Sequence, residues 1–192
     1  MSLIIIGIDP GTRQTGYGII RFERQVQTQL AAGLIRLDAR LPIHDRLVTL
    51  FSKLNTLIEA YQPSHLGIET AFINKNVAST MKLGHARGVI LLSAAQAGLQ
   101  IVELSPREIK RQITGNGNAG KPQVSAMVTR LLNLPEAPEP YDVTDALAIA
   151  LSTGFRTGPG SSPVKALTQS QSRGKRSAWG KFLEQNPGRV VS

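Results

Sequence analysis

Four acidic residues occupy positions from which their carboxylates could act together. Asp9 ends a short β-branched apolar run, Glu69 ends a second one, and Asp142 and Asp145 lie three residues apart at the start of an alanine-rich segment. Residues three apart on a helix share a face, and neighbouring parallel strands can bring carboxylates at their ends to one point. Four crowded carboxylates repel one another unless divalent cations lie among them. Oxygen ligands without a His–Cys set favour Mg²⁺ or Mn²⁺ over zinc.

The four acids have more than one explanation. Asp9 could cap a turn, and Asp142 and Asp145 could be the N-cap and capping-box acid of a helix. The Asp-x-Gly-Thr sequence that starts at Asp9 is also how actin-like ATPases and sugar kinases begin. Glu69 has no capping role that we can name. The joint pattern favours a nuclease site, because two ions about 4 Å apart are the usual apparatus for in-line displacement at a phosphodiester.

Composition and charge narrow the class of protein. The chain has 192 residues, enough for one medium domain with a proper core. It contains 22 basic and 13 acidic residues and has a net charge of +9, which favours a polyanionic partner such as nucleic acid. The absence of cysteine excludes disulfide scaffolds, Cys-ligated zinc and thiol nucleophiles. The N-terminal apolar run is too short to span a membrane, so we expect a soluble cytoplasmic protein with no membrane partner.

The pattern of apolar residues predicts an alternation of strands and helices. A strand, helix and strand in this order build a parallel pair through a right-handed crossover. The segment 74–98 is helical but dense in small residues, which indicates either tight packing on its own sheet or a helix–helix contact in a dimer. We predict strands at 3–9, 17–22, 27–36, 65–69 and 100–104, and helices at 43–61, 74–98, from 106, from 121, and at 141–152.

The chain divides by composition into a domain over residues 1–156 and a tail over residues 157–192. The tail carries six basic residues and one acidic residue, a net charge of +5, and is rich in Gly, Ser, Pro and Gln. Because it has too little apolar content to fold alone, we expect it to be disordered. Its charge predicts salt-sensitive, sequence-independent attraction to DNA, although it could equally be an appendage without measurable effect.

Three motifs taken together resemble the RuvC family of bacterial Holliday-junction resolvases. They are Gly7-Ile-Asp-Pro-Gly-Thr-Arg-x-Thr-Gly-Tyr-Gly18, Gly67-Ile-Glu-x-x-Phe-x-x-Lys-Asn76 and Asp142-x-x-Asp-Ala-Leu-Ala-Ile-Ala150. The resemblance implies an α/β, RNase H-like (retroviral-integrase) fold: a five-stranded mixed sheet flanked by helices, with the second strand antiparallel to the others. It also implies a homodimer that cuts two symmetric strands of four-way junction DNA, beside the RuvA and RuvB branch-migration proteins.

The resemblance carries roles onto individual residues. The four acids match the family's catalytic, metal-binding acids, with none missing. Phe72 matches an aromatic residue that stacks on a base near the junction centre, although it could be an ordinary core residue. Lys110 and Lys121 match lysines near the scissile phosphate, although a solvated surface charge would also explain each. Further candidates for contacts with the DNA backbone are Lys75, Arg13, Lys82, Arg87 and Arg107.

The sequence therefore predicts a structure-selective endonuclease. We expect it to resolve Holliday junctions in recombination and DNA repair, with Mg²⁺ (or Mn²⁺) and two ions per active site. An actin-like ATPase would need a second, related domain and a second phosphate loop, which fewer than 200 residues do not provide. An RNase H that degrades RNA in hybrids uses a similar acid set and stays an alternative. A junction-binding protein without cleavage is a third, against which the intact acids argue.

Overall fold

The computed structural model describes residues 2–24, 26–70 and 77–157, and all structural statements below refer to these residues. The predicted division at residue 156 stays a prediction, because the tail lies outside them. The elements in chain order are β1 (Ser2–Asp9), β2 (Gln14–Glu23), β3 (Val26–Arg36), α1 (Ile43–Tyr61), β4 (His65–Glu69), α2 (Val77–Gln96), β5 (Gln100–Leu104), α3 (Pro106–Thr114), α4 (Lys121–Leu131) and α5 (Tyr141–Thr157).

The strands form one mixed sheet in the order β3-β2-β1-β4-β5. β2 is antiparallel to both β1 and β3, whereas β1, β4 and β5 run parallel. The predicted five-stranded topology, with the second strand antiparallel to the others, is confirmed. α1 connects β3 to β4, but β4 forms its parallel pair with β1 and not with β3, so the strands before and after the helix are not the pair that their order predicts.

The sheet is the middle layer of three, because its central strand is buried on both faces. Ile5, Ile6 and Ile8 of β1 are fully buried, and successive side chains of a strand point to opposite faces. Ile5 packs into a core built with α3, α4 and α5. Ile6 and Ile8 pack into a second core built with α1 and α2. The predicted reading of the first strand as buried on both faces is therefore correct.

Two elements are longer than predicted because tertiary contacts override weak local propensity. β2 begins at Gln14 rather than at 17, since it pairs with β3 from Gln14 onward and with β1 from Gly16 onward. α5 continues through Thr153 and Gly154, two poor helix formers. The Thr153 hydroxyl donates to the carbonyl of Ile149 at 2.8 Å, and Gly154 packs directly against the ring of Phe22.

A row of three glycines lies under α5. Gly18, Gly7 and Gly67 are in register on the neighbouring strands β2, β1 and β4. A Cβ added to Gly7 would overlap the carbonyl oxygen of Ala146 in the helix backbone. A Cβ at Gly18 would meet the side chain of Leu147, and one at Gly67 the hydroxyl of Thr153. The row therefore lets the backbone of α5 rest directly on the backbone of the sheet.

The described helices include none that is long and apolar enough to cross a membrane.

We predict that Gly7→Ala destabilises the protein by at least about 2 kcal/mol, since overpacking forces backbone shifts. The matched control is Gly88→Ala, because Gly88 is exposed on α2 and a Cβ there would meet no other atom within 4 Å. Urea unfolding of both variants at the same protein concentration gives the comparison. A Gly7→Ala midpoint equal to that of the wild type would show that α5 does not need the glycine row.

Candidate active site

Two of the four acids end neighbouring parallel strands on the same face of the sheet. Asp9 is the last residue of β1 and Glu69 is the last residue of β4. Gly7 pairs with Gly67 in the β1–β4 register, and each acid follows its glycine by two residues. Because side chains alternate along a strand, both carboxylates lie on the face that α5 covers. The expected convergence of these two strand ends is present in the structure.

The start of α5 brings the other two acids to this edge of the sheet. The helix begins at Tyr141, so Asp142 lies inside the first turn and is not the N-cap. Gly16 of β2 lies against the carbonyl of Asp142, where an added Cβ would not fit. The Thr144 hydroxyl donates to the carbonyl of Pro138 at 2.9 Å, which ties the helix start to the proline-rich connector before it.

Three of the four acids border a cleft of about 300 Å³ that also contains two lysines. Its charged lining consists of Asp9, Glu69, Asp145, Lys110 and Lys121. The apolar part of its wall comes from α3, α4 and α5, through residues such as Ile109, Val124 and Ile149. The structure therefore brings together three of the four predicted acids and both predicted lysines.

Asp142 is next to this group but lies outside the cleft lining as described. Its carboxylate accepts a hydrogen bond from Nε2 of Gln14 at 2.5 Å. Its charge still acts on the site, because it is one of the charges that raise the pKa of Asp9. Gln14 is a site residue that the sequence did not single out, since only the start of β2 beside the start of α5 puts the two side chains together.

The lysines are placed by the starts of their helices. Ser105 caps α3, with its hydroxyl accepting from the Glu108 amide at 3.2 Å, and Pro106 follows at the first helical position as predicted. Lys110 lies one turn further on. Lys121 is the first residue of α4, and its ammonium donates to Oδ2 of Asp145 at 3.0 Å. The same ammonium lies 5.6 Å from the centre of the Tyr141 ring.

The electrostatics of the cleft are those of crowded carboxylates. Burial and then the charges of Asp145, Asp142 and Glu69 raise the pKa of Asp9 to about 7, while Lys121 acts in the opposite direction. Burial and Asp145 likewise raise the pKa of Glu69, against Lys110 and Lys121. The hydrogen bond with Asp145 raises the pKa of Lys121. The two lysines thus offset only part of the negative charge.

The donor set fits a hard divalent cation, since it consists of carboxylate oxygens. In the described part of the chain, however, no three His, Asp or Glu side chains are arranged as a metal-binding group. Two of the acids have protein partners on their Oδ2 oxygens, Lys121 on Asp145 and Gln14 on Asp142. A carboxylate can hold a cation through its second oxygen while it keeps such a partner.

The remaining predicted contacts with DNA have different standings. Phe72 and Lys75 lie outside the described residues. Arg13, Lys82 and Arg107 are exposed, and their contacts with DNA stay predictions. Arg13, Lys82 and Arg107 are not among the residues that line the cleft.

Arg87 differs from them, because its guanidinium is already engaged within the protein. It contacts the main-chain carbonyl of Glu69 and the carboxylate of Glu103.

The sheet topology and the acids at the strand ends are those of an RNase H-like resolvase fold. Comparison with known proteins identifies the family. A profile of the family "Crossover junction endodeoxyribonuclease RuvC" matches residues 5–153. The crossover junction endodeoxyribonuclease RuvC of Prosthecochloris aestuarii is 41% identical over 189 residues, which cover 98% of this chain and 100% of that protein.

Solved structures of Thermus thermophilus RuvC agree with this match. One is 29% identical, with a TM-score of 0.75, over 80% of this chain and 95% of that chain. Another, in complex with Holliday junction substrate, is 28% identical, with a TM-score of 0.76, over 80% and 93% of the two chains. The chain belongs to the RuvC family, and the resemblance inferred from its motifs is confirmed.

The raised pKa of Asp9 predicts how the metal-free protein responds to pH. Between its ordinary value of 3.8 and about 7, the folded state keeps a proton that the unfolded state releases. This contribution to stability is complete at low pH and is lost as the pH rises through 7. We therefore expect Asp9→Asn to melt at a higher temperature than the wild type in EDTA at about pH 8, where the wild-type carboxylate is charged.

Melting curves from about pH 5 to pH 8 test this expectation. Asp38→Asn is the control, because Asp38 is a surface acid whose pKa is lowered by its hydrogen bonds with Arg40. An Asp9→Asn variant that melts at or below the wild-type temperature at the upper end of this range would contradict the electrostatic description of the cleft.

Proposed function

We propose that this protein is a structure-selective endonuclease that resolves Holliday junctions by nicking two symmetric strands during recombination and DNA repair. The observation that carries the proposal is the cleft in which Asp9, Glu69 and Asp145 face Lys110 and Lys121, in a chain of the RuvC family. The T. thermophilus relative solved with a Holliday junction substrate supports the same substrate for this chain.

The reaction is hydrolysis of a phosphodiester, and we propose that it depends on two divalent cations, Mg²⁺ or Mn²⁺. Asp9, Glu69, Asp142 and Asp145 would hold them. When bound, such cations supply an activated water and stabilise the charge that develops on the leaving oxygen. The crowding of carboxylates that raises the pKa of Asp9 and Glu69 supports this role, since added positive charge relieves it.

The two lysines have a different task from the acids. Lys110 and Lys121 lie in the cleft with the carboxylates, so a phosphate held by either amine lies beside the acids. Lys121 pairs with Asp145 in the absence of a cation. A cation bound to that carboxylate would weaken its attraction for the ammonium, which could then also contact the scissile phosphate, since it has three N–H donors. Lys121 thus stabilises the site before the substrate arrives and positions the substrate afterwards.

DNA recognition extends beyond the cleft. Phe72 would stack on a base near the junction centre, which every base accepts because each has an aromatic face. Lys75 would contact the sugar–phosphate backbone, which orients a duplex without reading its sequence. The net charge of +9 supports binding to a polyanion, and the basic tail over 157–192 would add a salt-sensitive attraction of the same kind.

The assembly that we propose is a homodimer, because two symmetric cuts in one junction require two active sites. Exposed apolar side chains on α2, namely Val77, Met81 and Leu92, support a protein contact on that helix. We further propose that the dimer works beside the RuvA and RuvB branch-migration proteins in the cytoplasm, where the DNA of a bacterial cell lies.

The test is cleavage of a synthetic four-way DNA junction, with linear duplex and an RNA–DNA hybrid as controls. Paired symmetric nicks in the junction, dependent on Mg²⁺, are the expected result. Glu69→Gln and Asp145→Asn keep the shape of each side chain and remove its charge. We expect each to reduce the cleavage rate by at least about 100-fold, the lower range for loss of a positioned catalytic group. Junction binding in Ca²⁺ should stay intact.

Asp38→Asn is the matched control, since it changes an acid on the surface that pairs with Arg40. It should cut at the wild-type rate. Near wild-type cleavage by Glu69→Gln would contradict the proposed role of the acids. Tight junction binding without any cut by the wild type would identify a binding protein, and degradation of the hybrid would identify an RNase H.

A further inference from the structure

The guanidinium of Arg87 joins α2 to the ends of two strands. Its Nη1 donates to the main-chain carbonyl of Glu69 at 2.5 Å. Its Nη2 donates to Oε2 of Glu103 at 2.5 Å. The side chain of Arg87 is only 13% exposed, whereas that of Glu103 is 50% exposed. Arg87 is therefore a largely buried arginine, and both terminal nitrogens of its planar guanidinium donate hydrogen bonds.

The contact with Glu69 completes the hydrogen bonding of one peptide group. The carbonyl of the Glu69–Thr70 peptide accepts from Arg87. The N–H of the same peptide, which belongs to Thr70, donates to the carbonyl of Leu104 at 2.8 Å. With both polar atoms bound, the plane of this peptide is fixed, and so is the backbone from which the Glu69 side chain starts.

This peptide lies at the end of the pairing between β4 and β5. The β4–β5 register ends with the pair Glu69 and Leu104. Past that pair the strand ladder no longer constrains the backbone, so a contact from outside the sheet is needed to fix it. α2 provides this contact from the opposite face of the sheet, where its residues Ala86 and Ile90 pack into the core shared with α1.

Arg87 does not act on Glu69 by compensating the charge of its carboxylate. The charges that shift the pKa of the Glu69 carboxyl are those of Asp145, Lys110 and Lys121. The charge of Arg87 is balanced by Glu103. Glu103 is itself held through its main-chain carbonyl, which accepts from Nη1 of Arg156 at 3.2 Å. Arg87 thus acts on the backbone of Glu69 and leaves its carboxylate to the cleft.

We propose that Arg87 is a positioning residue for the active site, which holds the Glu69–Thr70 peptide so that the Glu69 carboxylate points into the cleft in a fixed orientation. The proposal rests on the proposed function, because it takes Glu69 to be a cation ligand. Removal of a residue that orients a metal ligand typically lowers metal affinity or activity by about 10- to 100-fold.

The test compares Arg87→Met with Arg40→Met. Arg40 also binds a carboxylate, that of Asp38 at 2.8 Å, but its side chain is 90% exposed. Mn²⁺ binding is followed by electron paramagnetic resonance, junction cleavage by gel, and junction binding by titration in Ca²⁺. We expect Arg87→Met to weaken Mn²⁺ binding and slow cleavage by about 10-fold each, with junction affinity unchanged. Arg40→Met should match the wild type in all three.

Two outcomes would overturn the proposal. If Arg87→Met binds Mn²⁺ and cuts junctions like the wild type, the Glu69–Thr70 peptide does not need the hydrogen bond from Arg87. Weaker junction binding in Ca²⁺ with unchanged Mn²⁺ binding would show instead that Arg87 is a contact with the DNA backbone. Arg87→Lys keeps the charge, but a single ammonium lacks the fork that reaches both acceptors, so it should not restore Mn²⁺ affinity. Full restoration by lysine would also contradict the proposal.

A second variant keeps the test decisive if Arg87→Met does not fold. Glu103→Gln keeps an acceptor for Nη2 but removes the charge that orients the guanidinium, and it should change Mn²⁺ binding in the same direction by a smaller factor. Wild-type Mn²⁺ binding by Glu103→Gln would overturn the proposal in that case. Glu69→Gln distinguishes a failure of the proposed function from a failure of the Arg87 proposal. If Glu69→Gln cuts junctions at the wild-type rate, the proposed function is wrong. If Glu69→Gln is inactive while Arg87→Met behaves like the wild type, only the positioning role of Arg87 is wrong.

Discussion

The direct contact between α5 and the sheet determines where the acids of the cleft lie. Three glycines in register, Gly18, Gly7 and Gly67, remove the side chains that would otherwise hold the helix away. The helix axis can then lie close enough for its first turns to reach the strand ends, where Asp9 and Glu69 stand two residues beyond their glycines. The same backbone contact that builds the core thus brings acids from three distant segments to one cleft.

The close approach also crowds the carboxylates. Burial and neighbouring acids raise the pKa of Asp9 to about 7, and Lys121 compensates only in part. This crowding destabilises the protein when no cation is bound, and positive charge from outside would relieve it. Lys121 and Gln14 each bind the Oδ2 oxygen of an acid, Asp145 and Asp142 respectively. The crowding therefore supports the cation site that we propose.

The sequence was sufficient for the parts of this account that depend on local pattern. The apolar strands, the cap at Ser105, the mixed sheet and the convergence of Asp9 with Glu69 follow from periodicity, turn residues and the family's motifs. Long-range contacts were not accessible in the same way. Two examples are the strand pairing that extends β2 to Gln14 and the hydrogen bond from Arg87 to the Glu69 carbonyl. Each joins residues that are distant in sequence, and no local pattern predicts such a contact. Phe72 and Lys75 stay predictions, because they lie outside the described residues.

A crystal structure of the protein grown with Mn²⁺ would show whether α5 and the strand ends form one cation site. We expect anomalous peaks for manganese in the cleft, bound by the carboxylates of Asp9 and Glu69 and by at least one acid of α5. Manganese peaks found only elsewhere on the protein at a saturating Mn²⁺ concentration would contradict this arrangement.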